Sequence, residues 1–360
     1  MAGAGDRRQH GLEIGISRFP DFAALEAEWR ELETRAAPSF FQSWSWIGCL
    51  AEERFPDPVL LRARAGGETV GLALFNRRGR TLSLTESGDP ALDAPFIEHN
   101  APLVAGGPEI AAALLRAAWQ VPKVSRLVLG GVAPALAEAA GGHGFRRQLR
   151  GAPFVDLAAV QGQGGDYLSS RSPNTRQQIR RSLRHFAAAG ALSLARAGTA
   201  TEAAAWLDVL VALHTASWQR RGKPGAFATE FLRRFHAALV ASSFARDELD
   251  LLRLTAGSAV VGYLYNFRLG GRVYAYQSGF DTTDAASQAR PGLCLHALAI
   301  QQALDRGDGV YDFLAGDVRY KQSLATGSQD LAWVELARPG FFGWGLAQGR
   351  GLARRLLRRG

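Results

Sequence analysis

The sequence predicts an α/β fold built twice, each copy a mixed, mostly antiparallel sheet flanked by helices, and three observations carry that expectation. The chain has 360 residues, about twice the length of one compact domain. Hydrophobic residues make up 47% and charged residues 21%, the balance of a chain that buries a core. One order of elements (helices, three antiparallel strands, helix, strand, helix, strand) is legible in the second half and, less sharply, in the first.

Leu12 to Arg18 alternates as a strand, and Phe22, Leu25, Trp29 and Leu32 recur behind it at helical spacing. PVLLRARAGGETVGLALFNRRG reads as a hairpin turning at Gly66 and Gly67, because paired glycines accept the positive φ of tight turns, and TLSLTES supplies the next strand. A helix near 107–120, a strand over Ser125 to Leu129, a short alanine-rich helix and a strand over Pro153 to Leu157 complete the half. QGQGG, within Ala158 to Gly165, has linker composition. The expected organisation is a disordered 1–11, a first domain over 12–160, a second and catalytic domain over 161–340, and a basic amphipathic tail at 341–360.

RSPNTRQQIRRSLRHF starts a helix, with Ser172 as N-cap and Pro173 at the first helical position, where a missing N–H costs nothing. Helices follow near 200–221 and 229–245, then three strands joined by tight turns in DLLRLTAGSAVVGYLYNFRLGGRVYAYQSGF. A helix from Pro291 to Arg306, a strand over Gly309 to Leu314, a short helix over Val318 to Ala325 and a strand over Leu331 to Ala337 close the half. The duplication is read from element order, since no residue-level repeat stands out.

No run approaches the roughly 20 apolar residues of a spanning helix, and MAGAGDRRQH has no apolar signal-peptide core. The expected location is therefore the cytoplasm, with peripheral attachment to the inner membrane as a variant. Cys49 and Cys294 lie far apart without metal spacing, and the histidines show no paired ligand spacing, so neither a disulfide nor a metal is expected. The net charge of +9 is local, because 171–185 and 341–360 each hold five arginines and no acid. Two short clusters fit a phosphate-bearing ligand or an anionic membrane surface better than a coat of nucleic acid. FFGWGLAQGRGLARRLLRRG reads as an interfacial membrane segment or, equally, as the basic end of a docked helix.

The stretch YQSGFDTTDAASQARPGLCLHALAIQQALDRGDGVYDFLAGDVRYKQSL, together with RSPNTRQQIRRSLRHF, resembles the CelD-like or BioF2-like branch of the GNAT acyltransferases over roughly residues 150–335. That branch is similar to the FemABX peptidyltransferases, which carry two GNAT-like domains and use aminoacyl-tRNA. The resemblance implies tandem GNAT-like domains and an acyl-CoA donor, without metal. It also implies that a diphosphate rests on free N–H groups at a helix start after the fourth strand, a place filled here by Arg290, Pro291, Gly292 and Leu293. The glycine-spaced Q/R-x-x-G-x-G/A loop of typical GNATs is absent. Members resembling this chain are linked to exopolysaccharide or cellulose assembly and to N-acylation of a long-chain base, which implies an envelope, lipid or polysaccharide acceptor. The FemABX likeness keeps an aminoacyl-tRNA donor as the alternative, and a non-catalytic partner in envelope assembly is the third reading.

Acyl transfer needs a base for the attacking group, donors for the oxyanion and an acid for the leaving thiol. The candidates are His214 in LHTASWQ, Asp312 in YDFL, Asp317, Tyr320 and Lys321. Asp312 is expected at a strand lining the cleft, and Lys321 as oxyanion donor, a role the Fem-type likeness supports. His214 competes with the reading of a packing histidine, Asp312 with that of a capping carboxylate. Arg176, Arg180 and Arg184 advance at i+4 along the helix after Pro173, suited to a cofactor phosphate, a tRNA backbone or a lipid headgroup, or forming a solvated face. Arg176 and Arg180 are assigned with the cofactor.

Overall fold

The computed structural model describes residues 11–18, 20–93, 97–280, 289–316 and 318–339. They form two compact units, the first from the described residues of Met1–Asp89, His99–Gln148 and Ala332–Gly360, the second from those of Pro90–Glu98 and Leu149–Leu331. Among the described residues no helix is long and apolar enough to cross a membrane.

In the first unit, β1 (Glu13–Arg18), β2 (Pro58–Ala65), β3 (Glu68–Arg78) and β4 (Thr81–Leu84) form an antiparallel meander. β6 (Arg126–Val132) joins β4 in parallel, and the end of β13 (Gly327–Ala337) joins β6 antiparallel; the two-residue β5 (Leu103–Val104) pairs with β3. α1 (Phe22–Arg35) is N-capped by Asp21 and buries Leu25, Trp29 and Leu32, the residues whose spacing predicts it. Two short helices, α2 (Trp44–Ile47) and α3 (Ala51–Arg54), have no counterpart in the sequence reading. α4 (Pro108–Ala117) and α5 (Pro134–Ala139) pack Leu114, Leu115 and Ala137 into a core with Val59, Phe75, Leu127 and Val334.

The second unit repeats the plan. β8 (Leu192–Arg196), β9 (Leu249–Ala256), β10 (Ala259–Leu269) and β11 (Arg272–Phe280) run antiparallel. β12 (Val310–Asp312) joins β11 in parallel, and the end of β7 (His143–Asp156) joins β12 antiparallel. Each unit thus has four antiparallel strands, one parallel step and a closing antiparallel strand, the pattern expected of one α/β module used twice.

α6 (Leu157–Gly162) occupies the stretch with linker composition; Asp156 caps it and Leu157 and Val160 are buried, so local apolar contacts outweigh the glycine and glutamine content. α7 (Pro173–Ala187) starts as expected, with the Ser172 hydroxyl accepting from the Thr175 N–H. α8 (Ala200–Arg220) and α9 (Glu230–Ala245) cover one face of the sheet, burying Trp206, Leu210, Phe235 and Leu239. α10 (Pro291–Asp305) is buried along Leu293, Cys294, Ala297 and Ile300 and fills the other face with Tyr167, Leu252, Leu264 and Tyr311. The short α11 (Arg319–Leu324) follows β12.

Candidate active site

The sheet of the second unit opens at its parallel step. β11 and β12 pair only from Arg272/Val310 to Tyr274/Asp312, after which β12 stops and β11 runs on to Phe280. A register shift against β10 leaves Tyr276 as an extra residue on β11, and such a bulge bends the strand and increases its twist. Main-chain groups of β11 beyond Tyr274 therefore face a wedge rather than a partner strand. In open α/β sheets, ligands bind at the carboxyl ends of parallel strands, which is where this wedge lies.

α10 begins at the same end. Its N-cap, Arg290, is left-handed (φ 55°) and offers no side-chain cap, and Pro291 fills the first turn. A Cβ built on Gly292 would stand 3.4 Å from the Phe280 ring, so the glycine keeps backbone close to the end of β11. First-turn amides have no intrahelical acceptor, and the helix dipole makes this end positive, the physical requirement for holding a phosphate. α7 fastens the turn: the Ser182 hydroxyl lies 2.7 Å from the Ala289 carbonyl and 3.1 Å from that of Arg290, and the Arg290 guanidinium donates to Gln178. Arg290, Pro291, Gly292 and Leu293 are thus together at one helix start.

Asp312 is fully buried at the end of β12. Its carboxylate accepts from Arg272 at 2.7 Å, from the Leu314 N–H at 2.8 Å and from Gln329 at 3.3 Å. Leu314 adopts φ 61°, an uncommon conformation for a branched side chain, and the Asp312 hydrogen bond secures it. The tight reversal turns two carbonyls toward Lys321, whose Nζ donates to Leu314 O at 3.2 Å and Ala315 O at 3.4 Å. The Glu98 carboxylate accepts from the Ala315 N–H on the same turn. Burial lowers the Lys321 pKa, while the negative charges of Glu98 and Asp312 oppose the shift. The two residues singled out in the sequence converge on one turn, by different roles: Asp312 shapes it and Lys321 brings a cation to it.

Tyr320, next to Lys321, stacks on His296 of α10 with centroids 5.6 Å apart. Burial pushes its hydroxyl up to about 12, so it stays protonated across the physiological range. His296 Nδ1 is 2.9 Å from the Tyr311 hydroxyl, and burial, helped by the Lys321 charge, brings its pKa down to about 3.

His214 is buried on α8 and reaches the part of β11 that runs on beyond the end of β12. Its Nδ1 is 3.2 Å from the Ser278 carbonyl and its Nε2 accepts from the Ala226 N–H at 3.2 Å, while Trp218 and Phe227 pack on the ring. Both nitrogens are engaged in the neutral form, consistent with its lowered pKa through burial. This is the arrangement of a packing histidine.

Arg176 and Arg180 do not join Arg290. With 3.6 residues per turn, the mean direction of Arg176, Arg180 and Arg184 lies about 180° round α7 from Gln178 and Ser182, the residues that hold the start of α10. Arg176 donates instead to the Ser169 carbonyl at 3.4 Å. Asp317 and the 341–360 tail lie outside the described residues. Among the described residues no group of three His, Cys, Asp or Glu side chains is placed to hold a metal ion.

Sequence reading misses Glu98, Ser182, Gln178, Arg272, Gln329 and His296 as contributors. Only His296, one turn into the helix after Pro-Gly, carried a positional signal.

A split parallel pair with an open helix start on one side and a half-buried lysine on the other fits the GNAT-type acetyltransferase domain that this chain carries. Residues 173–322 match the sequence family described as Acetyltransferase (GNAT) domain. FemX shares the fold with a TM-score of 0.58 at 10% identity, over 88% of this chain and 97% of that one. L-PGS from Bacillus licheniformis aligns with a TM-score of 0.54 at 12% identity, over 93% and 97%. A conserved protein of unknown function from Bacteroides thetaiotaomicron gives 0.57 at 13%, over 87% and 97%. Among curated proteins no relative matches.

Proposed function

We propose that the chain transfers an acyl group from acyl-CoA directly to a nitrogen or oxygen of an envelope, lipid or polysaccharide acceptor. The observation that supports this most is the wedge between β11 and β12, flanked by the uncapped start of α10 and by Lys321. In this reading the donor diphosphate rests on the amides around Gly292 and Leu293, Arg290 adds charge, and the thioester lies along the free edge of β11. The acceptor attacks the thioester carbonyl, a C–N or C–O bond forms, the C–S bond breaks, the thiolate takes a proton from Tyr320, and the proton released by the acceptor nitrogen or oxygen returns to the Tyr320 oxygen. Lys321 stabilises the oxyanion, and Tyr320, held protonated by burial, supplies the proton to sulfur. Asp312 acts through Leu314 as a positioning residue. Alignment of donor and acceptor in the wedge supplies much of the acceleration, so a strong base is not required.

Direct transfer agrees with the thiol chemistry. Burial pushes Cys294, beside the donor turn, up to about 12, which keeps it a thiol rather than a nucleophilic thiolate.

Calorimetry with coenzyme A and with short- and long-chain thioesters tests the reading, followed by thiol release with amine and hydroxyl acceptors. Saturable heat with at least one thioester and acceptor-dependent thiol release are expected; no heat with any thioester sinks it. An aminoacyl-tRNA donor would instead show tRNA affinity that falls steeply with salt, as counterions are released.

A further inference from the structure

Among the described residues, the outer flank of α7 is a strongly charged feature that the transfer site does not absorb. Arg176, Arg180 and Arg184 stand on successive turns and span about 12 Å. They line a groove of about 550 Å³ with Pro173, Gln177 and Leu183. Among the described residues Arg180, Arg181 and Arg184 form no ion pair. The nearby acid is Asp166; its carboxylate accepts from Ser169 and from the Leu168 N–H, contacts that hold its pKa down, with Arg180 adding a smaller electrostatic pull. Like charges at i+4 on one helix repel and cost stability, so an unneutralised row of three is intrinsically unfavourable without an anion.

The chemistry of the walls narrows the occupant. Guanidinium forks pair with phosphate oxygens, and among the described residues no aromatic ring lines the groove to offer a nucleic-acid base a stacking platform. Proline and leucine beside the cations suit a ligand whose phosphate adjoins an apolar portion. The flank also faces away from Arg290, so its occupant is not the donor diphosphate at Gly292. It lies toward the Asp166–Ser170 turn, where the Tyr167 hydroxyl donates to Leu324 O at 2.7 Å and so ties that turn to α11, the helix of Tyr320 and Lys321.

We propose that this flank docks on the phosphate headgroups of anionic phospholipids, setting the α11 side of the transfer site toward a bilayer. The inference rests on the lipid or envelope acceptor of the proposed function and names the surface from which that acceptor is presented.

The test uses the full chain and vesicles of phosphatidylcholine with or without phosphatidylglycerol. Wild-type protein is expected to sediment with the anionic vesicles only. The triple variant Arg176→Gln, Arg180→Gln, Arg184→Gln is expected to lose affinity by on the order of 100-fold, from three basic contacts near an anionic surface. Replacing the same three positions with lysine should retain most binding, because a bilayer reads charge. Loss of like-charge repulsion should leave the melting temperature of the glutamine variant equal or higher, which separates lost binding from lost folding. Equal sedimentation of wild type and glutamine variant would overturn the proposal, as would binding of an RNA oligonucleotide that competes the protein off the vesicles and depends on the same arginines. Thioester calorimetry on the same wild-type preparation keeps the two readings apart: silence there removes the transferase reading, whereas an unchanged vesicle comparison removes this one.

Discussion

At the scale of single residues, the proposed site divides into groups that would shape it and groups that would act in it. Lys321 is half-buried, and two carbonyls accept from its ammonium. Lys321→Met keeps the aliphatic stem and removes the charge; turnover is expected to fall on the order of 100-fold, the usual effect of deleting an oxyanion donor, with thioester affinity little changed. Asp312→Asn should behave differently. It breaks the buried pair with Arg272, and about 3 kcal/mol of stability should go with it, read as a lower midpoint in urea. A rate loss in that variant without any stability loss would move Asp312 from positioning to chemistry. YDFL and YK mark both residues in the sequence, but their division of labour was not legible, because it depends on Leu314 folding back and on Glu98 arriving from a distant segment.

At the scale of elements, local chemistry predicted helix starts well and strand limits less well. Ser172-Pro173 and Pro291-Gly292 are self-contained signals, since capping and the tolerance for proline in the first turn act over a few residues. β7 begins ten residues before its expected start because its early residues are charged and exposed, and alternation there carries no apolar signal. β8, only five residues long, is held by pairing with β9 rather than by its own sequence. The start of α10 gives a test at this scale. A Cβ at Gly292 would meet Phe280 only in ordinary contact, and alanine favours helix, so Gly292→Ala should fold as well as wild type. It should nevertheless raise the KM for the thioester several-fold by keeping the diphosphate off the amides; an unchanged KM would move the donor away from α10.

At the scale of the whole molecule, the aromatic and histidine packing of the second unit links stability to pH. Burial brings His236 and His296 from an ordinary 6.5 down to about 3. The unfolded chain takes up these protons first, so the stabilisation is complete above pH 6.5 and is lost as pH falls from there toward 3. By pH 5 the loss should reach about 2 kcal/mol for each histidine. Thermal melts at pH 7.5 and 5 should show that fall, and it should shrink in His236→Phe by that residue's share; an equal fall in the variant would assign the acid sensitivity to other groups.

The sequence by itself determined the alternation of helices and strands, the repeated module, the helix that opens at Pro291 and the position of a lysine just past YDFL, because capping, periodicity and turn chemistry operate between near neighbours. Only the tertiary structure decided which segments complete each unit, since the described residues of Pro90–Glu98 and the end of β7 pack with the second and the end of β13 with the first. It alone showed that both ring nitrogens of His214 are engaged by main-chain groups and that the α7 arginines lie opposite the residues that hold Arg290. Those outcomes follow from strand pairing and helix rotation between residues far apart in the chain, and no local pattern encodes them.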